Sequence, residues 1–389
     1  MDGQTRASRA WLRRLSPGPV AFVVAGAIAS VVVPRLALVV TPDLVLAVLL
    51  PGLVFEAAYR LHWEDLRRSS GAIAFLAVPG VLISAGIVAV VLTLATGLRL
   101  DLAFVVGAMV SATDPAAVVA TFTSLRAPRR LVAIVDAESL LNDGTSLVAF
   151  AIAIIVVTRS IGLPEAAGLF VATVVGSVLV GAAIGVVAAL LTARVAVGAV
   201  AVSISIVAAY GSYLAVAALG LSGVLASVSA GVALGNYGRR IGLGAGTERA
   251  LDAAWEPITF TLTALIFLAV GLAITWADLA SAIGDIAWGI AAVFLGRAVI
   301  VYGLIGGALV SLQGRRLAPN VPGRWLHLIF WAGLRGGVAT AAALSLPVDF
   351  PEREALQRIT FGIVVATLLV QGTTAGWLVR RVGLEAEAV

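Results

Sequence analysis

Twelve apolar segments follow one another along the chain, near residues 18–33, 43–60, 71–97, 102–123, 131–158, 164–193, 198–219, 221–237, 251–275, 280–311, 325–346 and 356–379. Most reach the ~20 residues that a helix needs to cross the hydrocarbon core of a bilayer. Within that core every backbone N–H and C=O must find a partner inside the protein, which for segments of this length means helices. The predicted fold class is therefore an all-α polytopic membrane protein with about twelve transmembrane helices. Composition agrees: 61% of residues are hydrophobic and 12% charged, where soluble domains carry roughly 25% charged residues. Breaks such as Gly162-Leu163-Pro164, Ala318-Pro319-Asn320 and Pro347–Pro351 punctuate the segments. The stretch 221–237 is short and rich in Gly, Ser and Ala, and glycine recurs at Gly176, Gly181 and Gly185. Both patterns predict close helix–helix packing.

The same composition excludes several chemistries. There is no cysteine, so no disulfide, thiolate or Cys-ligated metal is available, and only His62 and His327 could offer imidazole. The net charge of +5 comes from arginine alone, because no lysine occurs. Loops of that charge suit anionic lipid, and no nucleic-acid partner is expected. If all twelve segments span, 19 of the 26 arginines fall on the side holding both termini and five on the other, while Arg297 and Arg335 lie within segments. The positive-inside rule then places both termini in the cytoplasm, in a multi-pass protein of the inner (plasma) membrane. The basic residues 1–17 precede no cleavage site and are read as a cytoplasmic N-terminal segment rather than a signal peptide.

Charged residues in the middle of such segments carry the functional signal. A charge at a helix centre in lipid costs at least ~2.5–3.5 kcal/mol, so such residues usually line a path for an ion or a proton. In segment 102–123, Pro115 follows Thr113-Asp114; it removes a backbone donor and should break the helix there. Freed carbonyls and half-helix ends can coordinate a cation, with Asp114 offsetting the end charges. In segment 131–158, Ser139 and Asp143 are four apart, as are Glu138 and Asn142, so each pair lies along one face. One aspartate with a hydroxyl and nearby carbonyls is a hard-oxygen site suited to an alkali cation. A partly desolvated carboxylate can hold a proton instead. A group that binds either ion, and never both, is the minimum requirement for exchange. Glu56 ends the run Leu50–Phe55, one turn before Arg60, where a carboxylate reaching the interface is also a fair reading. Arg297 needs an acidic partner, for which Glu138 is the candidate. Arg335, in Gly333-Leu334-Arg335-Gly336-Gly337, marks a glycine-loosened stretch that could be a second broken helix. Four buried acids against two arginines leave the interior negative, which attracts cations.

These residues together resemble the monovalent cation:proton antiporters, in the electroneutral sodium/proton exchanger branch. The matching stretches are Leu50–Glu56, Ser111-Ala112-Thr113-Asp114-Pro115, Glu138–Gly144, Phe267–Leu272, Gly333–Gly337, Thr360-Phe361-Gly362 and Val370-Gln371-Gly372, spread over residues 17–384. The resemblance implies two inverted repeats whose broken helices, 102–123 and 325–346, cross near the site. The first repeat would be 18–158 (helices 1–5, one helix short), 164–193 a linker helix, 198–384 the second repeat (helices 7–12), and 385–389 a short cytoplasmic tail. Segments 3–5 and 10–12 would form a core moving against a scaffold that dimerises. It implies further that Asp143 carries the cation or proton, with Asp114, Ser139, Thr113 and Glu56 lining the site and Na+ held at Asp143, Ser139 and Thr113. Glu138–Arg297 would be a structural ion pair, and Arg335 would compensate the dipoles of the broken helices. Asn142 stands where electrogenic relatives place a second aspartate, which implies one proton per cation.

Departures from the family pattern are Gly52 in place of a proline, the stretch Thr374-Ala375-Gly376, the lack of a helix before residue 18 and of a long C-terminal tail. The expectation is thus a Na+/H+ antiporter working by an elevator-type movement. It is not an enzyme and needs no cofactor beyond the transported ions. Its partners would be a monovalent cation, the proton, membrane lipid and a second copy of the chain as a homodimer. A K+/H+ antiporter or a cation channel are the alternatives, and a hydrolase would have to use Ser139 beside Glu138.

Overall fold

In a computed structural model the chain is described for residues 19–32, 41–64, 67, 71, 73, 75–114, 116–125, 127–195, 197–273, 276–307 and 321–382. Pro115, residues 1–17, the 385–389 tail, Arg126, Arg315 and Arg316 lie outside the described residues. Among the described residues the secondary structure is all helical, without a strand.

The elements in chain order are α1 (Pro19–Val32), α2 (Leu50–Arg60), α3 (Val81–Thr96), α4 (Leu100–Ser111) and α5 (Ala116–Ser124). Then come α6 (Arg129–Arg159), α7 (Leu163–Ala193), α8 (Gly198–Ala218), α9 (Gly223–Arg240) and α10 (Ala245–Leu272). They are followed by α11 (Trp276–Ser281), α12 (Ile283–Ala298), α13 (Trp325–Trp331), α14 (Gly337–Leu344) and α15 (Arg353–Val382). Each of the twelve predicted segments coincides with a helix or with a broken pair. Among the described residues, seven helices are long and apolar enough by themselves to cross a membrane. The boundary that moved most is that of α10, which starts at Ala245 and takes Glu248, Arg249 and Asp252 into its first turns. Glu248 and Arg249 read as loop in the sequence because charge interrupts the apolar run; Arg239, ion-paired to Glu248 at 3.4 Å, offsets one of those charges.

Three helices carry π-helical stretches, Leu44–Leu49 leading into α2, Leu76–Gly80 leading into α3 and Val299–Gly306 continuing α12. Pro51 and Pro79 lie in or just after two of them and remove backbone donors there. In the second, the Thr145 hydroxyl donates to the Ala77 carbonyl at 2.6 Å, a helix-to-helix bond that an unbroken ladder would not leave open.

The helices pack as two bundles. One contains α3, α4, α6, α12, α14 and α15; the other contains α1, α2, α7, α8, α9 and α10. In the first, the order of a long helix, a broken helix and a long helix occurs twice: α3, α4–α5, α6 and then α12, α13–α14, α15.

Small residues explain how the second bundle closes. α9, the short Gly/Ser/Ala-rich helix, is gripped on two sides. A Cβ on Gly181 or Gly185 of α7 would collide with the Ala226 or Ala230 backbone of α9. On its other side, a Cβ on Gly231 or Gly235 would collide with the Phe55 or Tyr59 carbonyl of α2. Spacing by four keeps each pair on one face, so backbones touch where side chains would hold them apart. The end of α2 is latched by Asn236, whose Nδ2 donates to the Leu61 carbonyl (3.0 Å) and whose Oδ1 accepts the Trp63 N–H (2.7 Å).

We therefore expect Gly185→Val to overpack this contact and to destabilise the protein by about 1–3 kcal/mol, read as a lower melting temperature in detergent. Gly168→Val, on the same helix but with nothing within 4 Å of its Cβ, should melt like the wild type.

Candidate functional site

Both predicted helix breaks are present. α4 stops at Ser111, Ala112 is extended (φ −58°, ψ 135°), and helix resumes as α5 at Ala116. α13 stops at Trp331 and α14 begins at Gly337, after an extended Gly336 (φ −144°, ψ −139°). The two breaks touch: the Asp114 N–H donates to the Leu334 carbonyl at 2.9 Å.

Opposite helix ends meet at this crossing, and two side chains answer them. The Asp114 carboxylate accepts the Ala116 N–H of α5 (3.1 Å) and the Gly337 N–H of α14. It thus faces the positive ends of both half-helices. Gly336 is required here, since a Cβ at that position would collide with the Asp114 carboxylate. Arg335, 1% exposed, donates to the Gly333 carbonyl (2.8 Å) and shares a small cavity with Ser111, the last residue of α4. Its backbone N–H donates to the Thr367 hydroxyl at 3.2 Å.

α6 runs past the crossing and supplies two differently employed faces. On one, Glu138 forms a bidentate ion pair with Arg297 of α12, and Arg297 also donates to the Ile329 carbonyl of α13 at 2.6 Å. Asn142 donates to the Thr113 hydroxyl (3.2 Å) and to Glu138 (3.3 Å). This face is a buried polar clamp that joins α6, α12, α13 and the α4–α5 break. On the other face, Ser139 donates a short hydrogen bond to the Thr113 carbonyl. One turn later lies Asp143, 7% exposed, whose Oδ1 has no hydrogen-bond partner among the described residues.

Asp143 looks into a cavity of about 180 Å³ between the two bundles. Asp114, Ser139 and Glu56 line it together with Thr259 and Thr263 of α10, and Ile266 and Val338 give it apolar walls. The structure therefore gathers Asp143, Asp114, Ser139 and Glu56 around one space. Thr113 does not line this cavity: its carbonyl accepts from Ser139, its hydroxyl accepts from Asn142, and it borders the small cavity that holds Arg335. Asn142, Glu138, Arg297 and Arg335 stand behind the site rather than in it. Glu56 is ion-paired with Arg60 and 6% exposed, so it is a paired wall residue rather than a free one. Ser139 and Glu138 make no nucleophile–base pair, since the Ser139 hydroxyl is given to Thr113 and the Glu138 oxygens to Arg297 and Asn142.

Sequence reasoning missed Asp136. It is half-buried, stands one turn before Ser139 on the cavity side of α6, and lines the same cavity. The spacing Asp136, Ser139, Asp143 on one helical face was the signal that could have found it.

With this geometry in view, the comparisons are decisive for the family. The transmembrane sodium/hydrogen exchanger family model matches residues 8–381. The chain belongs to that family. It is 37% identical to the low-affinity Na+/H+ antiporter NhaS1 of Synechocystis sp., over 87% of this chain and 64% of that protein. It is 34% identical to the Na+/H+ antiporter NhaP of Pseudomonas aeruginosa, over 86% of this chain and 80% of that one. The chain thus spans just under two thirds of the length of its cyanobacterial relative. Its fold matches the sodium proton antiporter MjNhaP1 of Methanocaldococcus jannaschii with a TM-score of 0.71 at 17% identity, covering 95% of this chain and 98% of that one.

The clamp behind the site makes its own prediction. Arg297→Ala leaves Glu138 buried and unpaired, and should cost about 3–5 kcal/mol. The double change Glu138→Leu with Arg297→Met should cost distinctly less. Unfolding by SDS titration of the purified protein measures both.

Proposed function

We propose that this chain exchanges Na+ for H+ across the membrane, one for one, with Asp143 binding the cation and the proton in competition. The observation that carries this is Asp143 itself: a buried carboxylate with an unpartnered oxygen, facing a cavity at the seam between two helical bundles. Burying such a group without a partner is costly, and a dehydrated cation or a proton relieves that cost equally well. The cation would be held by Asp143, the Ser139 hydroxyl oxygen and the Thr113 carbonyl, with Asp114 and Glu56 in the wall. The names of the relatives, Na+/H+ antiporters, support the same reading.

The electroneutral ratio follows from Asn142. It occupies the position beside Asp143 and is committed to Thr113 and Glu138, so no second carboxylate stands next to Asp143 on α6, which supports one positive charge carried at a time. Movement would be of the elevator type. The bundle that holds the crossing slides past the other, turning the seam cavity from one side of the membrane to the other, in two inverted repeats as the order of elements allows. The face carrying Arg60, Arg129 and Arg239 is read as cytoplasmic by the positive-inside rule. The working form would be a homodimer in the plasma membrane of a cell. The chain would transport rather than catalyse, with Na+ and H+ as cargo and no cofactor.

Proteoliposomes loaded with a pH dye test this over roughly pH 6–9. Na+, Li+ or K+ pulses should evoke a pH change that is indifferent to a clamped voltage, and Asp143→Asn should abolish it. Because proton and cation compete for one group, the half-saturating cation concentration should fall as pH rises. On the acid side of the carboxylate's titration, each pH unit changes it about tenfold. Voltage-dependent exchange would overturn the one-for-one ratio, a K+-selective response the choice of cation, and unaltered exchange in Asp143→Asn the assignment of the carrier.

A further inference from the structure

A second cavity, of about 440 Å³, lies next to the first and is lined by Arg60, His62 and Arg129 together with Glu56, Ala57 and Asp136. The last three line both cavities. They form the wall between an arginine-lined mouth and the chamber that holds Asp143. Of the two carboxylates in that wall, Glu56 is neutralised by its ion pair with Arg60. Asp136 has neither a hydrogen bond nor an ion pair among the described residues, although it is half-buried between Val132, Ala133 and Leu140. Leaving a partly desolvated carboxylate unpaired is unfavourable, and nothing in the packing requires it at this position.

We infer that Asp136 is a cation-staging residue, which takes a partly hydrated monovalent cation from the arginine-lined mouth and passes it two helical turns inward to Asp143. The inference rests on the exchange reading above. Three placements support it. Asp136 lies seven residues before Asp143 on α6, which is ~10 Å along the axis and on nearly the same face. Ser139 stands between them, and the Asp143 Oδ1 at the inner end is unpartnered and buried. At the outer end, Arg60 is held in its pair with Glu56 and the Arg129 guanidinium would repel a cation, so a free negative charge at the wall is what makes entry from this face favourable. A cation arriving from the opposite face has no need of Asp136.

That asymmetry supplies the test. Full-length protein is reconstituted with known orientation, and Na+-evoked proton flux is measured with Na+ supplied to either face, for wild type, Asp136→Asn and Asp136→Glu. The expected result is that Asp136→Asn raises the half-saturating Na+ concentration about three- to tenfold from the arginine-rich face, the effect of removing a charge ~4 Å from a hydrated cation held at the wall. From the opposite face it should stay within about twofold, and so should the maximal rate, while Asp136→Glu restores the wild-type value. An unchanged half-saturation from the arginine-rich face overturns the inference, as does an equal rise from both faces, which a merely structural role would produce. Melting temperatures of both variants separate loss of fold from loss of staging, and Asp136→Ser replaces Asp136→Asn if the latter does not fold. A wild type without Na+-evoked proton flux would sink the exchange reading, and this inference with it. A wild type that exchanges beside an indistinguishable Asp136→Asn sinks this inference alone.

Discussion

The hydrogen bond from the Asp114 N–H to the Leu334 carbonyl joins two interrupted helices in the interior of a helical bundle, where interrupted helices are hard to accommodate. Each break leaves N–H groups of one half-helix and C=O groups of another without partners. Placing the two breaks against each other lets one carboxylate serve both N-terminal ends and one guanidinium lie with the C-terminal ends, which is how Asp114 and Arg335 are disposed. Neither residue could be exchanged for an apolar one without exposing helix-end dipoles to a low-dielectric interior. Gly336 follows from the same constraint, because the Asp114 carboxylate fills the space where its Cβ would be.

The crossing also sorts the remaining charges. Glu138 is claimed by Arg297, and Glu56 by Arg60. Asn142 bridges the first of these pairs to Thr113, so the polar face of α6 that points behind the site is saturated. Asp143, four residues beyond Ser139 and on the face that points to the seam, receives no such partner for its Oδ1. The unsatisfied group is therefore placed where two bundles meet rather than inside one of them. The bundle opposite is closed by glycine and alanine contacts between backbones.

Much of this was legible in the sequence, because a bilayer simplifies the code. Apolar runs marked the helices, Pro115 and the glycines around Arg335 marked the breaks, and the four-residue spacings in 138–143 marked two faces of α6. The π-helical stretches were not legible: Leu44–Leu49 and Val299–Gly306 are as apolar as any neighbouring turn, and their widening depends on packing. The start of α10 was hidden by Glu248 and Arg249, which read as loop until Arg239 is seen beside Glu248. Asp136 escaped for a related reason. It lies near the charged end of its helix, where a carboxylate ordinarily means only solvent, and its position between two cavities is a property of α2 and α6 together. Glu56 was ambiguous for the same cause: adjacency to Arg60 in sequence is compatible both with a surface pair and with the wall residue it is.

A chain this apolar nonetheless keeps Glu56, Glu138, Asp143, Arg297 and Arg335 buried in its interior. A fixed ion pair such as Glu138–Arg297 is weak evidence for stability, since an apolar pair of like volume would often serve as well. Its geometry does something an apolar pair could not: it holds α6 at a set rotation against α12 and α13, through two bonds to Glu138 and one to the Ile329 carbonyl. That rotation decides which face of α6 meets the seam. Turned by one residue, about 100°, the helix would present Asn142 to the cavity and drive Asp143 into the place of Gly144, against Leu225 of α9. The clamp and the crossing therefore act as one device. They fix the broken backbone and the rotation of α6 so that a single carboxylate, and not its amide neighbour, faces the space through which an ion can come and go.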